Sequence, residues 1–267
     1  MDAVRGAVAL LHEDTAALDV VATVAVATAW VDRRWRDVAA RRRDPISGLD
    51  HAGDLLRMMG GVPARAPALA RYLVTVSDHG MNASTFAARV VTSTGADPVS
   101  AVVAALGALK GPLHGGAPGP VLDMLDAIGE PARAHAWLLG ELDAGRRIMG
   151  MGHRIYRVRD PRAAALEQAI TSLEPDAGMH GRGGARLALA RAVEREATAL
   201  LSARHPDRPL AANVEFYTAV LLEALEIPRE AFTAIFACGR VAGWLAHVEE
   251  QRRCGRLVRP QSQYVGD

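Results

Sequence analysis

The chain has 267 residues, half of them apolar, with 31 Lys and Arg against 30 Asp and Glu and a formal charge of +1. That length and apolar content allow a sizeable core in one or two compact domains, while the balanced charge excludes the strongly basic field expected of a nucleic-acid or membrane-surface binder. Cys238 and Cys254 are the only cysteines, and with no paired ligands beside them they make neither a disulfide framework nor a metal site, in keeping with a reducing cytoplasm.

No cationic start followed by an apolar stretch and a small-residue cleavage site opens the chain, so no secretion signal is expected. The uncharged run at 20–31 is shorter than the roughly 20 apolar residues a bilayer span needs and reads as part of a buried helix over 15–41. Arg33–Arg36 and Arg41–Arg43 then read as the solvated, cationic end of that helix. Further helices are expected near 50–59, 64–76 and 84–93. Strictly alternating β-branched runs are scarce, so the period to follow is 3.6 and not 2. Between the third and fourth of these helices lies 77–85 (SDHGMNAST), where His79 stands among polar groups and either Asn82 or Ser84 caps the next helix; anion binding and ordinary capping both fit the segment.

Val99, Val102, Val103 and Leu106 repeat at i, i+3, i+4, i+7 between Pro98 and Gly111-Pro112, which predicts a well-punctuated helix. The Gly-rich turn at 110–120 (KGPLHGGAPGP) follows, with His114 at the mouth of a helix over 117–128. Unpaired N–H groups and the positive helix end there would depress an imidazole pKa and leave a neutral hydrogen-bond donor; a structural turn histidine is the other reading. After a helix over 131–144 comes 150–162 (GMGHRIYRVRDPR). Gly150 and Gly152 let the backbone at His153 approach a ligand closely, and Arg154, Arg157, Arg159 and Arg162 suit carboxylates or phosphates as well as surface ion pairs. Helices over 161–173 and 182–203 flank a Gly-rich connection at 179–184. The helix over 213–226 carries Glu215 in its first turn, where burial would raise and the helix dipole would lower its pKa with no net sign legible. A last helix over 230–253 precedes a polar tail.

Five segments, in order, resemble the signature regions of the citrate synthase family: SDHGMNASTFAARV, ALKGPLHGGAPGPVLDML, GMGHRIYRVRDPRA, NVEFYTAVLL, and FACGRVAGWLAHVEEQ followed by GRLVRPQSQYVG. The resemblance runs from about 77 to 266 and aligns 1–76 only loosely, as in a form shortened at its amino end. It implies a mostly α, citrate synthase-like fold with a large helical domain from 1–113 and 222–267 and a smaller inserted helical domain from 114–221. By the same resemblance His114 polarises the thioester carbonyl of acetyl-CoA, Glu215 takes a methyl proton and His153 hydrogen-bonds the ketone of oxaloacetate. His79, Arg162 and Arg240 hold oxaloacetate, and Arg259 reaches the neighbouring subunit's site. Gly150, Gly152 and Arg157 match the coenzyme A contact region. The family base is commonly Asp, so Glu215 places the carboxylate one methylene further out.

The implied activity is condensation of acetyl-CoA, or of propionyl-CoA to 2-methylcitrate, with oxaloacetate in a cytoplasmic homodimer. The coenzyme A thioester is a co-substrate, and no metal and no permanently bound cofactor are implied. A citryl-CoA lyase, and a catalytically incomplete subunit or regulator in mixed assembly with a longer homologue, are the other readings.

Overall fold

A computed structural model describes residues 1–35, 43–112, 114–115, 118–153, 156, 158–173, 183–208 and 210–266. Among these the protein is all helix, with twelve α-helices and no strand. The first, α1 (Asp2–Ala9), is not marked in the sequence; it has no side-chain cap, and only Val4 and Val8 of it are buried. α2 (Ala17–Trp35) buries Val20, Val24 and Ala25. The cationic stretch at 36–42 lies outside the described residues, as does most of the 174–184 connection.

Five of the next helices, those that follow Asp50, Asn82, Asp97, Asp160 and Asn213, begin where a side chain caps them. Asp50 accepts from Gly53 N at 2.6 Å to start α3 (His51–Met59), which closes on Gly60 in the left-handed region. A 3-10 turn at Pro63–Arg65 leads into α4 (Ala66–Val76). Asn82 caps α5 (Ala83–Ser93), and Asp97 with Pro98 at the first helical position starts α6 (Pro98–Leu109). α7 (Pro118–Ile128) and α8 (Ala134–Asp143) follow, then α9 (Pro161–Thr171) capped by Asp160, α10 (Gly183–Arg204), and α11 (Val214–Ala224) capped by Asn213.

α12 (Phe232–Cys254) is the axis of the core. It packs on α2, α4, α5 and α6, and its buried residues run all round the helix from Phe232 to Val241, after which Ala242 and Ala246 open one face to solvent. A helix apolar on every side is a buried one. Together with the preceding turn it is long and apolar enough to cross a bilayer, but 78% of that apolar window is buried inside the protein, as a central core helix should be. A second group of packed helices gathers around α11, which contacts α7, α9 and α10, and α9 also packs against α4.

The end of α4 approaches α12 so closely that only glycine fits at two places on α12. A methyl on Gly239 would stand 2.7 Å from Val76 Cγ2 and 2.8 Å from Leu73 O, and one on Gly243 would run into the Ser77 carbonyl. Gly243→Ala is therefore expected to destabilise the protein by about 1–3 kcal/mol through overpacking, lowering Tm by at least about 2 °C at this size. Gly140→Ala, on an open face of α8 with nothing near its added methyl, should leave Tm unchanged or raise it slightly, since Ala is the better helix former. Scanning calorimetry of both variants checks the pair.

Candidate active site

The loop from Ser77 to Asn82 is held between α5 and α12. Asn82 Oδ1 accepts from Ser84 N and Thr85 N, each at 3.2 Å, so Asn82 is the cap. Ser84 is thereby left for another task. Its fully buried hydroxyl lies 2.9 Å from His114 Nε2, 3.2 Å from the donating Trp244 Nε1 and 2.8 Å from Asn82 Oδ1. Because Trp244 only donates, the serine proton goes to His114 Nε2 or to Asn82 Oδ1. When it goes to His114, the ring carries its own proton on Nδ1. Burial first, and the Arg240 cation second, lower the His114 pKa. The expected cause was the helix end, but desolvation is the larger one.

The turn at 150–153 pairs with 211–213. Met151 and Ala212 form an antiparallel bridge, Gly152 N donates to Ala211 O at 2.7 Å, and Asn213 donates from its backbone to Gly150 O and from Nδ2 to Gly152 O, both at 2.9 Å. Gly150 and Gly152 have φ of 73° and 84°, and a side chain on either would strike Phe216 or Leu210 at 2.8 Å. Both glycines thus face the protein's own 210–216 segment. His153 follows, and Tyr156 N donates to its Nδ1 at 3.1 Å, which puts the proton of the neutral ring on Nε2. Burial lowers the His153 pKa, so the neutral form is the one that counts near pH 7.

His153 Nε2 lies 3.3 Å from His79 Nε2 and 3.5 Å from Arg162 Nη2. Burial, then the cations of Arg162 and its neighbours, push His79 down to about 4. Arg162 is clamped by Asp160, whose Oδ1 accepts from Arg162 N at 3.0 Å and Nε at 3.1 Å while Oδ2 accepts from Nη2 at 2.8 Å. The same Oδ2 accepts from Val214 N at 3.1 Å, so one wholly buried carboxylate caps α9, orients the arginine and anchors the start of α11.

Arg240 stands at the centre. It is 2% exposed, donates from Nε to Val76 O at 2.6 Å, and lies over the Phe236 ring at 4.6 Å. Among the described residues it makes no ion pair, and burial with the nearby Arg162 cation lowers its pKa to about 10. Its charge is felt by His79, His114 and Glu215. Glu215 keeps some solvent contact as a residue, but its Oε2 is sealed and has no hydrogen-bond partner among the described residues. Burial raises its pKa to about 7 against the opposing pull of Arg162 and Arg240, which settles the sign that helix position alone left open.

Of the predicted residues, His79, His114, His153, Arg162, Glu215 and Arg240 come into one electrostatic neighbourhood. Arg259 does not join them; it is exposed in the extended tail beyond α12, which Val258 N ties to Ser93 Oγ at 3.0 Å. Arg157 lies outside the described residues. Arg159, read as a possible anion ligand, is engaged by Glu194 at 2.6 Å and Glu167 at 2.7 Å. The sequence offers Ser84 only as a possible helix cap and does not point to Asp160 or Trp244, although an Asp directly before Pro161 is a legible helix-start signal. A cavity of about 390 Å³ beside α1, α2 and the approach to α12, lined by Val4, Thr28, Val31, Asp32 and Glu230 among others, contains none of the predicted site residues. The convergence of imidazoles, guanidinium groups and a carboxyl, not cavity size, marks the candidate site.

The family model described as "Citrate synthase, C-terminal domain" matches residues 1–261. A Mycobacterium tuberculosis protein that carries the name citrate synthase 2 provisionally is 48% identical over 204 residues, covering 76% of this chain and 52% of that protein. This chain thus spans about half the length of that relative. Over its full length it also superposes on citrate synthase from Thermotoga maritima, with a TM-score of 0.84, 35% identity and 71% of that chain covered. A ternary complex of carboxymethyl coenzyme A and oxaloacetate with citrate synthase from Thermoplasma acidophilum matches with a TM-score of 0.81 and 26% identity, covering all of this chain and 77% of that one.

Proposed function

The chain belongs to the citrate synthase family, and on that premise we propose that it condenses a short acyl-CoA, acetyl-CoA or propionyl-CoA, with oxaloacetate. The observation that carries this reading is Arg240, a buried guanidinium with no carboxylate partner among the described residues, set beside Arg162 and His79. A buried unpaired cation is costly unless an anion completes it. A dianionic keto acid supplies that charge, and two arginines orient as well as neutralise it. The oxaloacetate bound by the archaeal relative supports the same assignment.

In the proposed reaction Glu215 removes a proton from the acyl carbon next to the thioester. His114, neutral and held at Nε2 by Ser84, donates from Nδ1 to the thioester oxygen as negative charge gathers there. The enolate carbon then bonds to the ketone carbon of oxaloacetate, whose oxygen takes up charge opposite Nε2–H of His153. Water cleaves the resulting thioester and releases coenzyme A. The proposal also divides the chain into a larger domain of 1–113 and 222–267 and a smaller one of 114–221, so that His79 and Arg240 face His114, His153, Arg162 and Glu215 across the boundary. Gly150, Gly152 and Arg157 are retained as proposed coenzyme A contacts, with the two glycines already required by their pairing with 211–213.

Free thiol release from acetyl-CoA or propionyl-CoA, dependent on oxaloacetate, tests the reading. Release with either donor supports the synthase and identifies the donor. Cleavage of citryl-CoA without net synthesis would replace it with the lyase, and silence relieved by a longer homologue would make this chain a subunit of a mixed assembly.

The exposed tail position of Arg259 fits a role in the site of a second copy, and closed two-fold pairs are the commonest oligomers. In a homodimer, Arg259→Ala should raise the oxaloacetate KM about tenfold or more, the worth of a hydrogen bond to a charged group, without lowering Tm. Steady-state kinetics on a dimer verified by sedimentation decides; an unchanged KM removes Arg259 from the site.

A further inference from the structure

One face of α12 touches the His79 loop at successive turns. Arg240 holds Val76 O, Gly243 admits Ser77, Trp244 reaches Ser84, and His247, one more turn along, meets Asp78. The last contact has no place in the reaction described above, yet its geometry is specific. Arg89 Nε donates to His247 Nδ1 at 2.9 Å. A guanidinium only donates, so Nδ1 must accept and the ring proton sits on Nε2, which donates to Asp78 Oδ1 at 3.0 Å. The other Asp78 oxygen, Oδ2, accepts from Gly80 N at 3.2 Å. Asp78 therefore grips the chain on the far side of His79 with one oxygen and α12 with the other. Burial raises its pKa, but the Gly80 N–H and His247 outweigh that and hold the carboxylate ionised.

The support is itself braced. Arg89 donates from Nη1 to Gln251 Oε1 at 3.0 Å and pairs with Glu250, and Gln251 Nε2 donates to Arg256 O at 2.9 Å. The side chains of Arg89 and His247 are only 13% and 18% exposed, whereas that of Asp78 is 52% exposed, so solvent screens the His247–Asp78 bond in part. We infer that His247 is a positioning residue for oxaloacetate, acting through Asp78 to fix the loop that presents His79. The inference rests on the assignment of His79 to oxaloacetate made above. The ring never meets the substrate; loss of its hydrogen bond lets the 78–80 backbone relax and moves His79 away from His153, from which its Nε2 now stands 3.3 Å. Displacements of this kind are amplified in oriented sites.

Calorimetric titration of the full chain with oxaloacetate tests this. His247→Ala, and His247→Phe, which keeps ring bulk without a donor, should each weaken oxaloacetate binding about three- to fivefold, as expected for one partly exposed hydrogen bond to a charged group. The acyl-CoA KM and Tm should stay near parental values, and His247→Gln, whose amide can still donate to Asp78, should recover most of the affinity. Parental oxaloacetate affinity in the Ala and Phe variants overturns the inference, as does a parallel loss of oxaloacetate affinity, acyl-CoA affinity and Tm. Failure of the parent chain to bind oxaloacetate would strike the reading of the whole site, and the inference with it.

Discussion

Glu215→Gln is expected to lower turnover by about 10²–10⁴-fold, the range for loss of a general base, while oxaloacetate binding stays within about twofold. The acid's Oε2 is buried and unpartnered, and burial holds its pKa at about 7 against the pull of Arg162 and Arg240. A carboxylate with that pKa is a stronger base than an exposed one and is still about half ionised near pH 7. The parent's kcat/KM should therefore rise with pH through about 7, a limb the Gln variant should lack. Stability supplies an independent check. The folded pKa lies above the ordinary value of 4.5, so the group's contribution is fully present below about 4.5 and is lost as pH rises through about 7. Parent stability should decline across that window more than that of Glu215→Gln. Near-parental turnover in the variant, measured by thiol release, would remove Glu215 from the mechanism.

His114→Ala should lower turnover by about 10²–10³-fold, the usual cost of one donor to a developing oxyanion, with oxaloacetate affinity little changed. An α-proton next to a thioester is too weakly acidic for a carboxylate near pKa 7 to remove unaided, so the oxygen must be stabilised as the proton leaves. The buried Ser84 hydroxyl lies 2.9 Å from Nε2, and the proposed role requires the serine proton on that contact so that the ring's own proton sits on Nδ1; burial with Arg240 favours the neutral ring. A neutral donor matched to the oxygen stabilises charge as it develops without first adding a proton to the site. Single-turnover kinetics with saturating oxaloacetate separates this effect from binding; turnover within tenfold of the parent would return His114 to a structural role.

Helix boundaries were legible wherever local chemistry punctuates the chain. Asp97-Pro98, Asp160-Pro161 and Asn213 each pair a capping side chain with a helix start, and the helices begin there. α1 was missed: like α8 it has no side-chain cap and only two buried residues, but α8 is bracketed by Pro131 and Gly145, whereas no proline leads into α1. The 213–226 and 230–253 helices were found, but the nearly all-round burial of the first and of the opening half of the second was not predicted, because amphipathic periodicity fades when every face meets protein.

The sequence by itself determined the helical class, the family resemblance and the residue types that make the site plausible, since ordered local motifs survive without knowledge of packing. Tertiary packing sets how those residues are held. Asp160 reaches Val214, Ser84 links His114 to Trp244, and Asp78 meets His247, contacts between segments far apart along the chain. It also decided the sign at Glu215: the helix dipole acts locally and could be anticipated, whereas desolvation depends on which remote side chains exclude water. Gly150 and Gly152 show the same division, for their spacing marked a close approach and folding supplied Phe216 and Leu210 as the neighbours approached.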